Sequence, residues 1–133
     1  MYEKIGVISD ACRRELLRSL PPAKLAKESD RYGVSPKLDK LALLVDLPDD
    51  LDWAWLVMLP PNGLLHEHMD SEPERYQLRR HIVLATNDAC ESWNGGTKYH
   101  LDDLGIYEMT PGLAHKSLNG GETDRIHLVV FYG

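Results

Sequence analysis

Past residue 40 the chain is written in short apolar runs separated by Pro, Gly, Asn and Asp. Alternation of apolar and polar positions, or unbroken β-branched and aromatic character, predicts strands over Lys40–Leu47, Trp53–Leu59, Leu64–Asp70, Tyr76–Ala85, Cys90–Trp93, Thr97–Leu101, Gly105–Met109, His115–Leu118 and Ile126–Tyr132. The separators carry turn chemistry: PPNG, TND, NGG, TPG and a second NGG. The first third reads differently. SDACRRELLRSLPP predicts a short helix, capped by Ser9 or Asp10, striped by Leu16, Leu17 and Leu20, and stopped by Pro21-Pro22. AKLAKESDRYG would add another turn or two before Gly33. Many short strands, Gly-rich turns and no helical pattern after Asp70 predict a mainly β sandwich or jelly roll and exclude a βαβ fold.

At 133 residues the expectation is one domain, with a helical cap segment over 1–37 and a β core over 38–133. A composition that is 43% hydrophobic and 27% charged is that of a globular protein, with no repeat or low-complexity tract. The net charge of −6 argues against nucleic acid as a partner, because neutralising phosphates takes a surplus of Lys and Arg. Cys12 and Cys90 are far apart and form no CxxC, so reduced thiols are expected. MYEKIGVISDACRRELL shows no basic region followed by an apolar core, and the longest uncharged run, Trp53–Leu65, is broken by Pro60 and Pro61. A soluble cytoplasmic protein with no membrane partner is the expectation, its oligomeric state left open.

The chemistry gathers in a few places. In HEHMD, residues two apart on a strand share a face, so His66, His68 and Asp70 would lie together, with Glu67 and Met69 opposite. His-x-Asp can grip one ion from adjacent rungs, a recurring geometry for non-haem iron; it can equally be a solvated strand end running into the acidic loop DSEPER. His66 stands one rung back and suits support of the ligands better than ligation. His115 follows a Pro111-Gly112 turn, and Arg125 begins the last apolar strand ten residues later. Arg125, His127, Val129 and Phe131 share one face of that strand. An arginine pointing inward there needs an anion, whereas at an exposed strand start it would pair with Asp124 or Glu122. In YQLRRHIVLATN, Arg79 alternates with Arg80, so whichever face is internal carries one arginine inward; a charged sheet edge is the other reading. Two imidazoles and one carboxylate would leave metal positions open for substrate and oxygen.

The stretch HMDSEPERYQLRRHIVLATN, with GIYEMTPGLAHKSLNGGETDRIHLVVF further on, resembles the aspartyl/asparaginyl β-hydroxylase family of Fe(II)/2-oxoglutarate-dependent dioxygenases. The likeness runs from about Leu51 to the C-terminus and rests on the HxD, the RxH before an apolar strand, and the H-x9-R-I-H-L-V ending. It implies a cupin-like double-stranded β-helix with His68, Asp70 and His115 as iron ligands. It also implies Arg125 on the distal carboxylate of 2-oxoglutarate, and Arg79 with His81 at its C1-carboxylate end or at the substrate. The implied reaction oxidatively decarboxylates 2-oxoglutarate to succinate and CO2 while O2 hydroxylates an unactivated C–H of an amino acid or peptidyl side chain. Related halogenases carry a small residue in place of the acid, so Asp70 argues for hydroxylation. The C-terminal helical extension that some members place near the substrate is not seen after the last strand. Two alternatives stand beside this reading. One is a cupin-type metalloenzyme that does not use 2-oxoglutarate, which would not need Arg125. The other is a non-catalytic β-sandwich binding module, in which His68, Asp70 and His115 would not converge.

Overall fold

The helix forms where the capping signal places it. The Oγ of Ser9 accepts the backbone N–H of Cys12 at 3.0 Å, and α1 runs Asp10–Ser19 with Asp10 in its first turn and Arg18 in its last. Leu16 is fully buried and joins Ile8 in the main apolar cluster. The computed structural model describes residues 2–19, 26–28, 31–34, 51–68, 78–109 and 113–132.

The strands are β1 Tyr2–Val7, β2 Ala26–Glu28, β3 Arg31–Val34, β4 Leu51–Leu59, β5 Leu64–His68, β6 Leu78–Ala85, β7 Cys90–Asn94, β8 Thr97–Tyr99, β9 Gly105–Met109, β10 His115–Asn119 and β11 Arg125–Tyr132. A seven-stranded sheet has the order β1-β9-β6-β11-β4-β3-β2, and a four-stranded sheet has the order β5-β10-β7-β8. From β4 onward the chain passes from one sheet to the other at every connection except the tight β7–β8 turn. That winding is a double-stranded β-helix, the mainly β jelly roll expected from the sequence.

Alternation on the large sheet sorts its two faces. Ala54, Leu56, Ile82, Leu84, Leu128 and Val130 point outward and are sealed by Ile8 and Leu16 around α1. Their neighbours in sequence point into the barrel, where Tyr2, Val83, Leu101, Tyr107 and Met109 form one cluster and Val57 with Val129 another. Both faces of β6 and β11 are therefore buried, which explains why these strands read as nearly continuous apolar runs.

Three expectations need correction or placement. Tyr2–Val7 is a strand that the sequence reading missed; it forms an edge of the large sheet by pairing with β9. Ala26–Glu28 and Arg31–Val34 are strands where extra helical turns were expected. Ala26, Lys27 and Glu28 pair with Gly33, Tyr32 and Arg31, and Tyr32, Gly33 and Val34 pair in turn with Met58, Val57 and Leu56, so ladder bonds override the local helical preference there. The expected strand Lys40–Leu47 lies outside the described residues.

Two turns set the approach to the site. Between β4 and β5, Pro61 and Asn62 occupy the centre of a turn closed by the Gly63 N–H donating to the Pro60 carbonyl at 2.8 Å. Asn62 has φ of 64°, the left-handed value that a type II turn demands at that position. Between β7 and β8, Gly95 and Gly96 have φ of 62° and 82°, the two left-handed residues of a type I′ hairpin. The Gly95 N–H donates to the Ala114 carbonyl at 2.8 Å and so holds the chain one residue before His115.

Candidate active site

Three strands bring the polar interior together. On β11, Arg125 is 4% exposed and His127 1%, both on the inward face with Val129. On the adjacent β6, His81 takes the same face between Arg79 and Val83, while Arg80 faces away and pairs with Glu108 across β9 at 3.5 Å. On β10 of the opposite sheet, His115 is 4% exposed and heads an inward row with Ser117 and Asn119.

His81 and His127 meet at their Nδ1 atoms, 3.1 Å apart, with the rings edge to face at 5.4 Å. Tyr2 packs edge-on against the other side of His81 at 5.6 Å. Burial pushes both imidazoles well below the ordinary histidine pKa. For His81 the charges of Arg79 and Arg125, and His115, add to the effect; for His127, Arg125 and His81 do. Both rings are therefore neutral at physiological pH. The Nε2 of His81 is buried and has no hydrogen-bond partner among the described residues. Such an atom costs about 1–3 kcal/mol in a folded protein and marks a place where a ligand can complete the bonding.

His115 is oriented by its own backbone. Its Nδ1 lies 3.0 Å from the Leu113 carbonyl, and because a carbonyl only accepts, Nδ1 is the donor. In the neutral ring the bare nitrogen is then Nε2, which is buried. An imidazole with Nδ1–H bonded to a carbonyl and a bare Nε2 is the form in which histidine binds a metal ion. In register, His115 lies opposite His68 on β5 and opposite Asn94 on β7, so the row His68–His115–Asn94 crosses the small sheet. Asn94 is 2% exposed.

The sequence-predicted residues thus fall into two sets. Arg79, His81, His115 and Arg125 converge inside the barrel, with the electrostatic coupling of His81 to the other three as the sign of it. His68 is placed in register by its backbone; its side chain, that of His66, and the whole of Asp70 lie outside the described residues. No three His, Cys, Asp or Glu side chains gather as a metal site among the described residues. The tautomer that Leu113 imposes on His115 is one that an imidazole uses toward a transition metal. Sequence reasoning placed His127 on the inward face but not against His81, and it overlooked Asn94. The only local signal for Asn94 is the NGG turn that ends its strand.

Below this row the barrel is pinned by Asn119, fully buried. Its Nδ2 donates to the carbonyls of Leu59 and Thr123 at 2.8 Å each. Its Oδ1 accepts from Asn87 Nδ2 and the Gly121 N–H, both at 3.1 Å. One side chain thereby ties β10 to the end of β4 and to the loop entering β11.

Among solved structures, a Pseudomonas putida prolyl-4-hydroxylase superposes with a TM-score of 0.73 at 13% identity, covering 98% of this chain and 91% of that one. The viral collagen prolyl hydroxylase vCPH from Paramecium Bursaria Chlorella virus-1, solved as a 2OG complex, gives 0.72 at 14% identity, covering 98% and 94%. The cupin domain of Schizosaccharomyces pombe Cnp3 gives 0.62 at 14% identity over 86% and 71%. At these identities the likeness shows the fold, the same wound pair of sheets. No helix among the described residues is long and apolar enough to cross a membrane. The sequence model of the Aspartyl/Asparaginyl beta-hydroxylase family matches residues 37–132, from before β4 through β11, and the chain belongs to that family.

Proposed function

We propose that the protein is an Fe(II)/2-oxoglutarate-dependent dioxygenase that hydroxylates an unactivated C–H of an amino acid or a peptidyl side chain. The observation that carries this is the pairing, in one barrel interior, of an imidazole presented in metal-binding form with a buried arginine. On the small sheet His115 directs its Nδ1 to the Leu113 carbonyl, which leaves Nε2 for a metal, and Arg125 is buried on the inward face of the large one. The ligands of the reading are His68, Asp70 and His115. Arg125 holds the distal carboxylate of 2-oxoglutarate, and Arg79 with His81 its C1-carboxylate end or the substrate.

Iron and 2-oxoglutarate supply the oxygen chemistry, with O2 consumed and succinate and CO2 released. The chain's own residues bind, orient and exclude water. The guanidinium of Arg125 is planar and forked, so it fixes a carboxylate in position and direction. Neutral His81 and His127 add polar contacts without adding charge. Val57, Val83 and Val129 line the same interior and keep it dry.

The cupin superpositions keep a second reading in view, a metalloenzyme of the same fold that does not use 2-oxoglutarate. An arginine 4% exposed in the interior favours the first. One anaerobic titration separates them. Fe(II) with 2-oxoglutarate should give a weak visible charge-transfer band that is absent with Fe(II) alone. Folded, iron-loaded protein that never shows the band would overturn the proposal. Succinate release across a panel of amino acids and peptides then identifies the substrate.

A further inference from the structure

The inward face of the small sheet is a ladder of polar pairs. Along β7 and β10 burial alternates from residue to residue, so Cys90, Ser92 and Asn94 face inward opposite Asn119, Ser117 and His115. The rungs above and below are engaged within the fold: His115 Nδ1 donates to the Leu113 carbonyl, and Cys90 Sγ donates to Asn119 Oδ1 at 3.4 Å. The middle rung differs. Ser92 is 4% exposed and Ser117 5%, and neither hydroxyl has a hydrogen-bond partner among the described residues. Buried hydroxyls normally find partners, so two that share a rung point to a ligand that supplies the bonds. Directly opposite in the ladder, their Cβ atoms are about 4.5–5.5 Å apart, close enough for both hydroxyls to reach one group. That group is an acceptor. Among the described residues the buried polar side chains include no Asp or Glu, so a ligand ammonium would meet no opposite charge, whereas a carboxylate accepts both O–H bonds.

We infer that Ser92 and Ser117 form a carboxylate-binding rung, their hydroxyls donating to the distal carboxylate of 2-oxoglutarate. This rests on the proposed function, which puts the metal on the rung above, at His115. Alternate residues of a strand are about 6.6–6.8 Å apart, so a five-carbon keto diacid with its keto end at the upper rung brings its other end to the next one. Two O–H bonds use two of a carboxylate's roughly four lone-pair sites, so the pair recognises it independently of any cation on the large sheet.

Anaerobic calorimetric titration of the Mn(II)-loaded protein with two keto acids tests the rung. 2-Oxopentanoate matches 2-oxoglutarate except for a methyl group in place of the distal carboxylate. Wild type should bind 2-oxoglutarate more tightly. Ser92→Ala and Ser117→Ala should each weaken 2-oxoglutarate binding about ten-fold or more, with 2-oxopentanoate and Mn(II) affinities unchanged. Without ligand, both variants should melt at or above the wild-type temperature, since the hydroxyls they lose have no partner among the described residues. A fall in melting would make the hydroxyls structural and overturn the inference. Unchanged 2-oxoglutarate affinity in both variants, or an equal loss for the two keto acids, would overturn it too. Wild-type protein that binds neither keto acid overturns the functional reading instead, a result distinct from any difference between the two ligands.

Discussion

His115 and His68 occupy one rung of the β5–β10 ladder, although 47 positions separate them along the chain. Positions directly opposite in an antiparallel pair have Cβ atoms about 4.5–5.5 Å apart, a span that one metal ion bridges. A one-residue irregularity between His115 and Ser117 sets this alignment; below it, Ser117 pairs with Leu65. Without the shift, His115 would face a different residue of β5.

Removing either histidine should therefore abolish metal binding while leaving the barrel folded. His68→Ala and His115→Ala are each expected to weaken Fe(II) or Mn(II) binding by more than the about 10–100-fold that losing a ligand's outer hydrogen-bond partner costs. Anaerobic calorimetric titration checks this, with circular dichroism as the folding control. Wild-type metal affinity in His115→Ala would remove it from the site.

Arg125→Ala should separate co-substrate from metal. Truncating one partner of a buried charged pair costs about 2–5 kcal/mol, so 2-oxoglutarate affinity should fall by about 30-fold or more with metal binding retained. Because Arg125 also holds down the proton affinities of His81 and His127, their pKa values should rise in the variant. Histidine NMR titration reads that shift.

The pH dependence of stability has a definite direction. In the unfolded chain His81 and His127 take up protons near the ordinary value of about 6.5, and in the fold they do not. The unfolded state then binds more protons on the acid side. Stability should be flat above about pH 7 and fall as pH drops through 6.5, by up to about 1.4 kcal/mol per pH unit for each ring. Denaturant melts between pH 5 and 8 measure the slope. His127→Asn removes one of the two protons and should make it shallower.

Asn119→Ala should destabilise the barrel by about 3 kcal/mol, since it strands the Leu59 and Thr123 carbonyls and leaves a cavity at a fully buried position. The melting temperature should drop by roughly 10 °C. An exposed neighbour, Glu122→Ala, provides the control and should melt like the wild type.

Much of this was legible along the chain. The period-two pattern placed β9 over Gly105–Met109 and came within a few residues of β4, β6, β7, β10 and β11, because a side chain on a strand reports its face by parity alone. The same parity put Arg125 with His127 and Arg79 with His81. The N-terminus was less legible. Tyr2–Val7 and Arg31–Val34 are strands only because β9 and β4 offer ladder edges to pair with, and partners so distant leave no mark on the local sequence.

By itself, then, the sequence determined which residues share a face, which turns join the strands, and which residue types could hold a metal and an anion. Only the tertiary structure decided which strands lie side by side. It set His81 against His127 through the β6–β11 ladder and His115 between His68 and Asn94 in the small sheet. The physical reason is that parity is carried by each strand alone, whereas pairing and register are carried by hydrogen bonds between strands tens of residues apart, settled by the whole barrel closing at once.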